Sequence, residues 1–235
     1  MKITTILFDL DGTLLPMDYD LFIYTYFKEL TKSLVRYGYD PEQLKNAVWN
    51  GTMRMIKNTG VKSNEKVFWE YFCGVFGEKA IEDEKYFAEF YEKEFDRIQK
   101  ICGFNEEAPA LVRDLKKMGY TVALATNPLF PTIATKKRMA WAGLLPEDFS
   151  LFTTYENINY CKPNPDYYRS VAEKLGVLPE ECLMVGNDAE DDLSAREAGM
   201  MVYLMPEFLV NKKNVDISDV PQGGFAELRQ FIENL

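Results

Sequence analysis

The 235-residue sequence contains no histidine. This absence excludes Ser-His-Asp and Cys-His catalysis, HExxH zinc sites, phosphohistidine chemistry and a histidine general base. Any reaction that the chain catalyses must therefore use carboxylates, lysines, hydroxyl groups or a hard metal ion.

Cysteines and long apolar runs are also scarce. The four cysteines, Cys73, Cys102, Cys161 and Cys182, are scattered without C-x-x-C spacing, which argues against zinc sites, redox couples and a disulfide framework. No run of about 18 uncharged apolar residues occurs, and the N-terminal apolar stretch is too short for a signal peptide. We expect reduced thiols, no membrane-spanning helix and a cytoplasmic location.

Basic residues are outnumbered by acidic ones, 27 against 37, so the net charge is -10. A surface this acidic repels phosphate backbones, and we expect no nucleic-acid partner. A composition that is 47% hydrophobic and 14% aromatic argues against disorder. A small-molecule substrate and a monomer or weak dimer are the expectation.

Short apolar runs alternate with helical patterns over most of the chain. Buried strands are predicted at residues 3–9, 121–126, 151–154, 183–186 and 201–204. Helices are predicted at residues 106–118, 165–175, 191–198 and 225–235, the first three followed by Gly119, Gly176 and Gly199. This alternation predicts an α/β fold with a doubly wound parallel sheet of about five or more strands.

Residues 16–101 interrupt the alternation with long amphipathic stretches and no convincing strand. Asp40 and Pro41 are predicted to open one helix, and Ser63 to cap another. More than half of the aromatic residues lie here, either as the core of these helices or, in part, as the lining of a pocket. We predict a helical cap at residues 16–101, inserted into a core of residues 1–15 and 102–235.

The first strand ends in Asp9-Leu10-Asp11-Gly12-Thr13. Ligands of a doubly wound sheet bind at the carboxyl ends of its strands. Extended residues two apart point to the same side, so Asp9 and Asp11 can both face the crevice, and Gly12 permits a sharp turn. Asp-Gly is also a common turn dipeptide, so the residues at the other strand ends must decide whether this segment is a functional site or only a turn. A calcium loop would need an acid at Leu7 and is excluded.

The other strand ends carry groups suited to phosphate and metal chemistry. Thr126 and Asn127 offer a hydroxyl, an amide and backbone N–H groups for a phosphoryl group. Lys162, between rigid elements just before a predicted helix, offers a fixed cation. Residues 186–192 include four acids, which suit a helix N-terminus or a hard divalent cation. The sequence therefore predicts one crevice that contains all these groups.

These motifs resemble those of the haloacid dehalogenase superfamily. Its D-x-D-G-T motif is matched by residues 9–13, its threonine or serine after strand two by Thr126, its lysine before a proline by Lys162, and its acidic motif by residues 186–192. The match covers nearly the whole chain in the right order. The resemblance implies a Rossmann-like core with a helical cap of the C1 type and a phosphatase-type hydrolase activity.

The resemblance also implies a role for each residue. Asp9 is the nucleophile and becomes an aspartyl phosphate, and Asp11 is the general acid and base. Thr126, Asn127 and Lys162 bind the phosphoryl oxygens. Mg²⁺ is held by the Asp9 carboxylate, the Asp11 backbone carbonyl and an acid of the fourth motif.

The fourth motif departs from the usual form, because Asn187 follows Gly186 where an aspartate is typical. Asp188 and Asp192 keep the usual four-residue interval, so Asp188 is the predicted metal ligand. Asn187, Asp191 and Asp192 are then expected behind it, with Asp191 or Asp192 orienting Lys162 or a metal-bound water.

Several alternatives stay open or are disfavoured. A sugar-phosphate phosphomutase remains possible, as does a phosphonatase, which would use a lysine of the cap such as Lys28, Lys32, Lys45, Lys57 or Lys62. The dehalogenase branch lacks the acid that stands here at Asp11. A receiver-like signalling domain is disfavoured because such domains are shorter and have no cap. A non-catalytic phosphate-binding protein is disfavoured because it would not require Asp9, Asp11 and Lys162 together.

Overall fold

A computed structural model of the protein describes residues 2–235. It contains a parallel sheet of four strands, β1 (Thr5–Phe8), β2 (Thr121–Leu124), β3 (Cys182–Gly186) and β4 (Met201–Leu204). The strand order is β2-β1-β3-β4, and Phe8 at the end of β1 pairs with Leu124 on one side and Val185 on the other. The carboxyl ends of three strands therefore lie side by side. The predicted α/β fold is confirmed.

The predicted strand at residues 151–154 is reduced to one isolated bridge between Phe152 and Leu124. The Leu124 N–H donates to the Leu151 carbonyl at 2.8 Å, but the ladder stops after Thr153. Asn157 ends it, because its side chain accepts from the Thr154 N–H at 2.9 Å and donates to the Phe152 carbonyl at 2.9 Å. The sheet described in residues 2–235 has four strands and not the expected five or more.

Four α-helices belong to the part of the chain that contains the sheet. They are α5 (Glu107–Lys117), α6 (Thr132–Trp141), α7 (Pro165–Leu175) and α8 (Phe225–Glu233). Helices α5 and α7 end close to the predicted glycines, Gly119 at φ 92° and Gly176 at φ 71°. Leu111 and Leu115 are buried as the helical spacing predicts, whereas Met118 follows the end of α5 and is 47% exposed.

The predicted helix at residues 191–198 is a short 3-10 helix, Leu193–Ala198, and Gly199 ends it at φ 98°. Its expected first turn is missing because the Asp188 side chain accepts from the N–H groups of Glu190 and Asp191, at 2.7 and 2.9 Å. This acidic segment is therefore a turn that carboxylates hold in place, and it leads into the 3-10 helix.

Between β1 and β2 lie the helices α1 (Tyr19–Leu34), α2 (Pro41–Ile56), α3 (Asn64–Phe76) and α4 (Glu84–Lys93). Both predicted caps are confirmed, since Asp40 accepts from the Gln43 N–H at 2.8 Å and Ser63 from the Lys66 N–H at 3.3 Å. The chain enters and leaves this insert side by side, where Met17 forms an antiparallel bridge with Cys102. The exact domain boundaries stay a prediction.

Aromatic packing joins the inserted helices to the sheet-containing part. Phe130, which precedes α6, contacts Tyr26 with ring centroids 5.2 Å apart, and Phe95 stacks on Trp141 at 5.1 Å. These rings belong to one buried cluster that includes residues of both parts. Most aromatic side chains of the insert pack as core, and Tyr19 lines the crevice described below.

All four cysteines are free thiols. Within residues 2–235, every helix is too short or too polar to cross a lipid bilayer.

Candidate active site

One crevice at the carboxyl edge of the sheet brings all the predicted site residues together. It encloses about 220 Å³ and is lined by Asp9, Asp11, Thr126, Asn127, Lys162, Asn187, Asp188, Asp191 and Asp192. Tyr19, Glu190, Val210 and Lys212 complete its wall. The loops after β1, β2 and β3 position most of these residues, as expected for a doubly wound sheet.

Lys162 is the central cation of the crevice. Its Nζ lies 3.0 Å from Asp9 Oδ1 and 2.6 Å from Asp192 Oδ1, and its side chain is 1% exposed. Burial alone would lower the pKa of Lys162, but the carboxylates of Asp192 and Asp9 raise it well above the ordinary value. Lys162 therefore stays protonated and provides a fixed positive charge beside Asp9.

Asp9 has an environment that opposes its ionisation. Burial raises the pKa of Asp9 to about 8. Asp192 and Asp11 also raise it, and Lys162 lowers it without cancelling the rise. A carboxylate has to be ionised to act as a nucleophile or as a metal ligand. Because Lys162 is shared with Asp192, a further cation beside Asp9 would favour the ionised form that its predicted chemistry needs.

The donor atoms around Asp9 suit a hard divalent cation. Asp9 uses Oδ1 to bind Lys162, and Asp188 uses Oδ1 to accept two backbone N–H groups. Within residues 2–235, the Oδ2 atoms of both have no protein hydrogen-bond partner, and no three acidic or cysteine side chains are arranged to bind a metal by themselves. The predicted set of two carboxylates, the Asp11 carbonyl and waters is one that Mg²⁺ accepts.

Asn187 is engaged at both ends of its amide. Its Oδ1 accepts from the Thr13 hydroxyl at 3.0 Å, and its Nδ2 donates to the Phe208 carbonyl at 2.7 Å. This favours Asp188 over Asn187 as the metal ligand. Gly12, at φ 81°, allows the close approach, because a Cβ there would lie 2.3 Å from Asn187 Nδ2.

Asp192 connects Lys162 to the acidic segment. Its Oδ2 accepts from the N–H groups of Asn187 and Asp188, at 3.0 and 2.9 Å, while its Oδ1 binds Lys162. A Cβ at Gly186 would lie 2.0 Å from Asp192 Oδ2, so only glycine fits there. Of the two acids expected to orient Lys162, Asp192 is the one in contact with it.

Thr126 and Asn127 follow β2 and line the same crevice. The Thr126 carbonyl accepts from the Tyr167 and Thr153 hydroxyls, at 2.9 and 2.6 Å, which fixes the backbone at this point. Asn127 Nδ2 donates to Asp191 Oδ2 at 3.0 Å. Burial and the neighbouring Asp188 raise the pKa of Asp191 to about 7. Contacts of Asn127 and Thr126 with a phosphoryl group stay a prediction.

Arg138 is a site residue that the sequence patterns did not indicate. It lies on α6, is completely buried, and its guanidinium forms an ion pair with Asp11 Oδ2 while lying 4.5 Å from the Phe130 ring centroid. Burial raises the pKa of Asp11, and Arg138 and Lys162 lower it. One signal was available: Arg138 falls on the same helix face as Ala134, which is buried, and an arginine there requires a buried partner.

A parallel sheet with paired aspartates, a buried lysine and an acidic turn at its carboxyl edge is a Rossmann-like core with a polar crevice where such sheets bind their ligands. The chain belongs to the haloacid dehalogenase-like hydrolase family, whose model matches residues 3–199. Its relatives include the pyrophosphatase PpaX of Bacillus cereus (strain AH820), 27% identical over 200 residues that cover 85% of this chain and 81% of that protein.

Solved structures show the same fold. A predicted phosphoglycolate phosphatase from Haemophilus somnus 129PT has a TM-score of 0.60 at 20% identity and covers 98% of both chains. The L-2-haloacid dehalogenase from Xanthobacter autotrophicus has a TM-score of 0.57 at 16% identity and covers 99% of both chains. Proteins named for different reactions share this fold, so the residues of the crevice must distinguish between them.

Proposed function

We propose that this hydrolase is a Mg²⁺-dependent phosphatase that cleaves a small-molecule phosphate monoester through an aspartyl-phosphate intermediate. The observation that carries the proposal is the shared crevice of Asp9, Asp11 and Lys162, in which Lys162 contacts Asp9 directly. By resemblance, the dehalogenase branch lacks an acid at the position of Asp11, so its presence favours phosphoryl transfer.

The proposed reaction has two steps on the chain's own residues. Asp9 attacks the phosphorus while Asp11 donates a proton to the leaving oxygen. Asp11 then takes a proton from the water that attacks the aspartyl phosphate, which releases phosphate and restores Asp9. Burial raises the pKa of Asp11, whereas the ion pair with Arg138 and the nearby Lys162 lower it; the net shift is upward, which is the direction that a general acid needs.

Charge on the phosphoryl oxygens is stabilised by groups already in place. Lys162 is held by Asp192 and therefore keeps its position as the phosphoryl group changes geometry. Thr126 and Asn127 are proposed to donate hydrogen bonds to the other oxygens. Asp9, the Asp11 carbonyl and Asp188 would hold Mg²⁺, which would supply further positive charge and keep Asp9 ionised.

The structure favours the phosphatase over the phosphonatase alternative. Among residues 2–235, the lysines that line the crevice are Lys162 and Lys212, and neither belongs to the inserted helices. A phosphonatase would need a lysine from those helices at the reaction centre. A phosphomutase differs only in the acceptor and is distinguished by its product, an isomeric sugar phosphate instead of free phosphate.

The test is hydrolysis of p-nitrophenyl phosphate with and without Mg²⁺. We expect slow, Mg²⁺-dependent release of phosphate that Asp9→Asn abolishes. Asp219→Asn is the matched control, because Asp219 is 72% exposed and lies outside the crevice, and it should keep full activity. Pyrophosphate joins the substrate panel because the Bacillus relative is named a pyrophosphatase. No Mg²⁺-dependent activity on any phosphorylated compound of that panel would refute the proposal.

A further inference from the structure

Lys212 is a crevice residue to which the proposed reaction assigns no role. Its side chain is 67% exposed, and its ion pair within residues 2–235 is with Asp20 on α1, at 3.1 Å. Asp20 is itself 80% exposed, so the pair is screened by solvent and contributes little. An anion that enters the crevice can therefore replace Asp20 as the partner of Lys212.

The backbone that carries Lys212 is fixed to the acidic segment. The Val210 N–H donates to the Asn187 carbonyl at 2.8 Å, and the Ala189 N–H donates to the Val210 carbonyl at 2.8 Å. The Asn211 side chain accepts from the Val215 N–H at 2.7 Å and donates to its carbonyl at 2.9 Å. Lys212 is thus a flexible side chain on a positioned loop at the edge of the site.

Negative charge exceeds positive charge in the crevice that Lys212 lines. Acidic side chains outnumber lysines in the lining of the crevice, and Lys162 is already engaged by Asp9 and Asp192. Lys213, the next residue, pairs with Glu190. A substrate with a second anionic group would be repelled here unless a cation received that group, and Lys212 is placed to do so.

The size of the crevice supports the same conclusion. Its volume of about 220 Å³ is smaller than the roughly 300–1,000 Å³ typical of sites that bury a drug-sized ligand. With the phosphoryl group beside Asp9 and Lys162, little space is left for a bulky leaving group inside the crevice. A short leaving group would end near the wall that includes Lys212.

We propose that Lys212 binds a second anionic group of the substrate, so that the site selects small phosphorylated compounds whose leaving group carries a phosphate or carboxylate. The inference rests on the proposed phosphatase function and names its substrate class. Compounds with an uncharged leaving group do not use Lys212.

The experiment compares Lys212→Gln with the wild-type protein on four substrates in the presence of Mg²⁺. For pyrophosphate and 2-phosphoglycolate, KM should rise about threefold to fivefold with little change in kcat, which is the effect of losing an ion pair with a largely exposed lysine. For p-nitrophenyl phosphate and glucose 6-phosphate, KM should not change. The two anionic substrates differ in their second group, so whichever is affected identifies it as phosphate or carboxylate.

Lys213→Gln is the matched control. Lys213 is 74% exposed, adjacent in the chain and outside the crevice lining, so its replacement should leave all four KM values unchanged. Lys212→Arg keeps the charge and should keep the low KM for the anionic substrates; failure of this rescue would count against a charge-based role.

Several results would overturn the inference. They are an equal rise of KM for all four substrates, no rise for either anionic substrate, the same effect in Lys213→Gln, or a wild-type preference for the uncharged leaving groups. If the wild type cleaves p-nitrophenyl phosphate in any of these cases, the proposed function stands and only the role of Lys212 fails. A wild type that cleaves none of the four, nor any other compound of the panel, refutes the proposed function itself.

Discussion

The ion pair of Arg138 and Asp11 places two opposite charges where little water reaches them. The Arg138 side chain is 1% exposed and that of Asp11 13%. Among the described residues, Asp11 Oδ1 and Arg138 Nε are buried without a hydrogen-bond partner. Removing one member of such a pair leaves the other charge uncompensated, which costs more than the pair contributes in net terms. The conformation of Asp11 therefore depends on Arg138.

Arg138→Met tests this dependence. We expect the free energy of unfolding to fall by about 3 kcal/mol or more, because the Asp11 carboxylate loses its buried partner. Urea unfolding measures the change. Arg169→Met is the control, since Arg169 is 50% exposed and pairs with an exposed aspartate, and it should cost less than about 1 kcal/mol. In a double-mutant cycle with Asp11→Asn, strict additivity of the two effects would contradict the coupling.

Asp11→Asn tests the general acid and base. The amide cannot donate and accept a proton as a carboxyl does, so kcat should fall by about 100-fold or more. Mg²⁺ affinity should change little, because the predicted ligand at this position is the backbone carbonyl. Asp188→Asn should instead weaken Mg²⁺ binding, because Asp188 is the predicted side-chain ligand. Isothermal titration and steady-state kinetics separate the two variants, and unchanged turnover in Asp11→Asn would remove Asp11 from the mechanism.

At the scale of elements, the site consists of short loops that follow β1, β2 and β3 and approach one another closely. Glycine makes this approach possible at Gly12 and Gly186, where a side chain would overlap Asn187 and Asp192. The acidic turn after β3 has its own hydrogen bonds, and it holds Lys162 through Asp192. The loops therefore depend on one another, and a change in one should displace the proposed catalytic groups of another.

Gly12→Ala should disrupt this arrangement. The variant loses stability because φ is 81° and also because the new Cβ would lie 2.3 Å from Asn187 Nδ2. Gly176→Ala is a matched control, with φ 71° and no atom within 4 Å of the new Cβ. We expect both to lose about 1–2 kcal/mol from the backbone, but only Gly12→Ala to lose activity. Thermal unfolding and kcat measure the two effects, and equal activity in both variants would contradict the prediction.

At the scale of the whole molecule, the inserted helices and the sheet-containing part share one hydrophobic cluster. Charge, in contrast to the hydrophobic cluster, is concentrated in one place. Many acidic side chains converge on one small crevice of a protein whose net charge is already -10. Burial of Asp9 in this field costs free energy when the carboxylate ionises, and a bound cation offsets that cost. Stability of the whole chain should therefore respond to Mg²⁺ and to pH together.

The sign of this response follows from the pKa of Asp9, which burial raises to about 8 from 3.8. Between these values the folded chain without Mg²⁺ keeps a proton that the unfolded chain has lost, so its stability falls as pH rises. With Mg²⁺ bound, Asp9 is ionised in the folded chain and this fall disappears. The stabilisation by Mg²⁺ should thus grow between pH 6 and pH 8, by about 1.4 kcal/mol per pH unit at most.

Calorimetry at fixed Mg²⁺ concentration measures this difference. In Asp9→Asn the stabilisation by Mg²⁺ should be weaker and should not grow with pH in this range, because the titrating carboxyl is gone. A stabilisation in the wild type that is independent of pH would contradict the prediction.

Local patterns of the sequence were sufficient for the fold class, the order of most elements and most of the crevice residues. Alternating periodicities and the glycines after helices depend on neighbouring residues, and the ends of parallel strands necessarily meet at one edge. The strand predicted at residues 151–154 was wrong. Asn157 competes for the backbone groups of residues 152 and 154, and strand propensity alone does not reveal this competition.

Pairing within the crevice was decided only by the tertiary structure. Lys162 binds Asp192, 30 residues away, and Asp9, 153 residues away, while Arg138 binds Asp11 across 127 residues. Composition and spacing predicted that Asp9, Asp11 and Lys162 would meet, but not that Arg138 would join them or that Lys212 would line the wall. Periodicity and turn residues determine which segments reach the edge of the sheet. Which charges then pair depends on burial and packing between distant segments, and those exist only once the chain has folded.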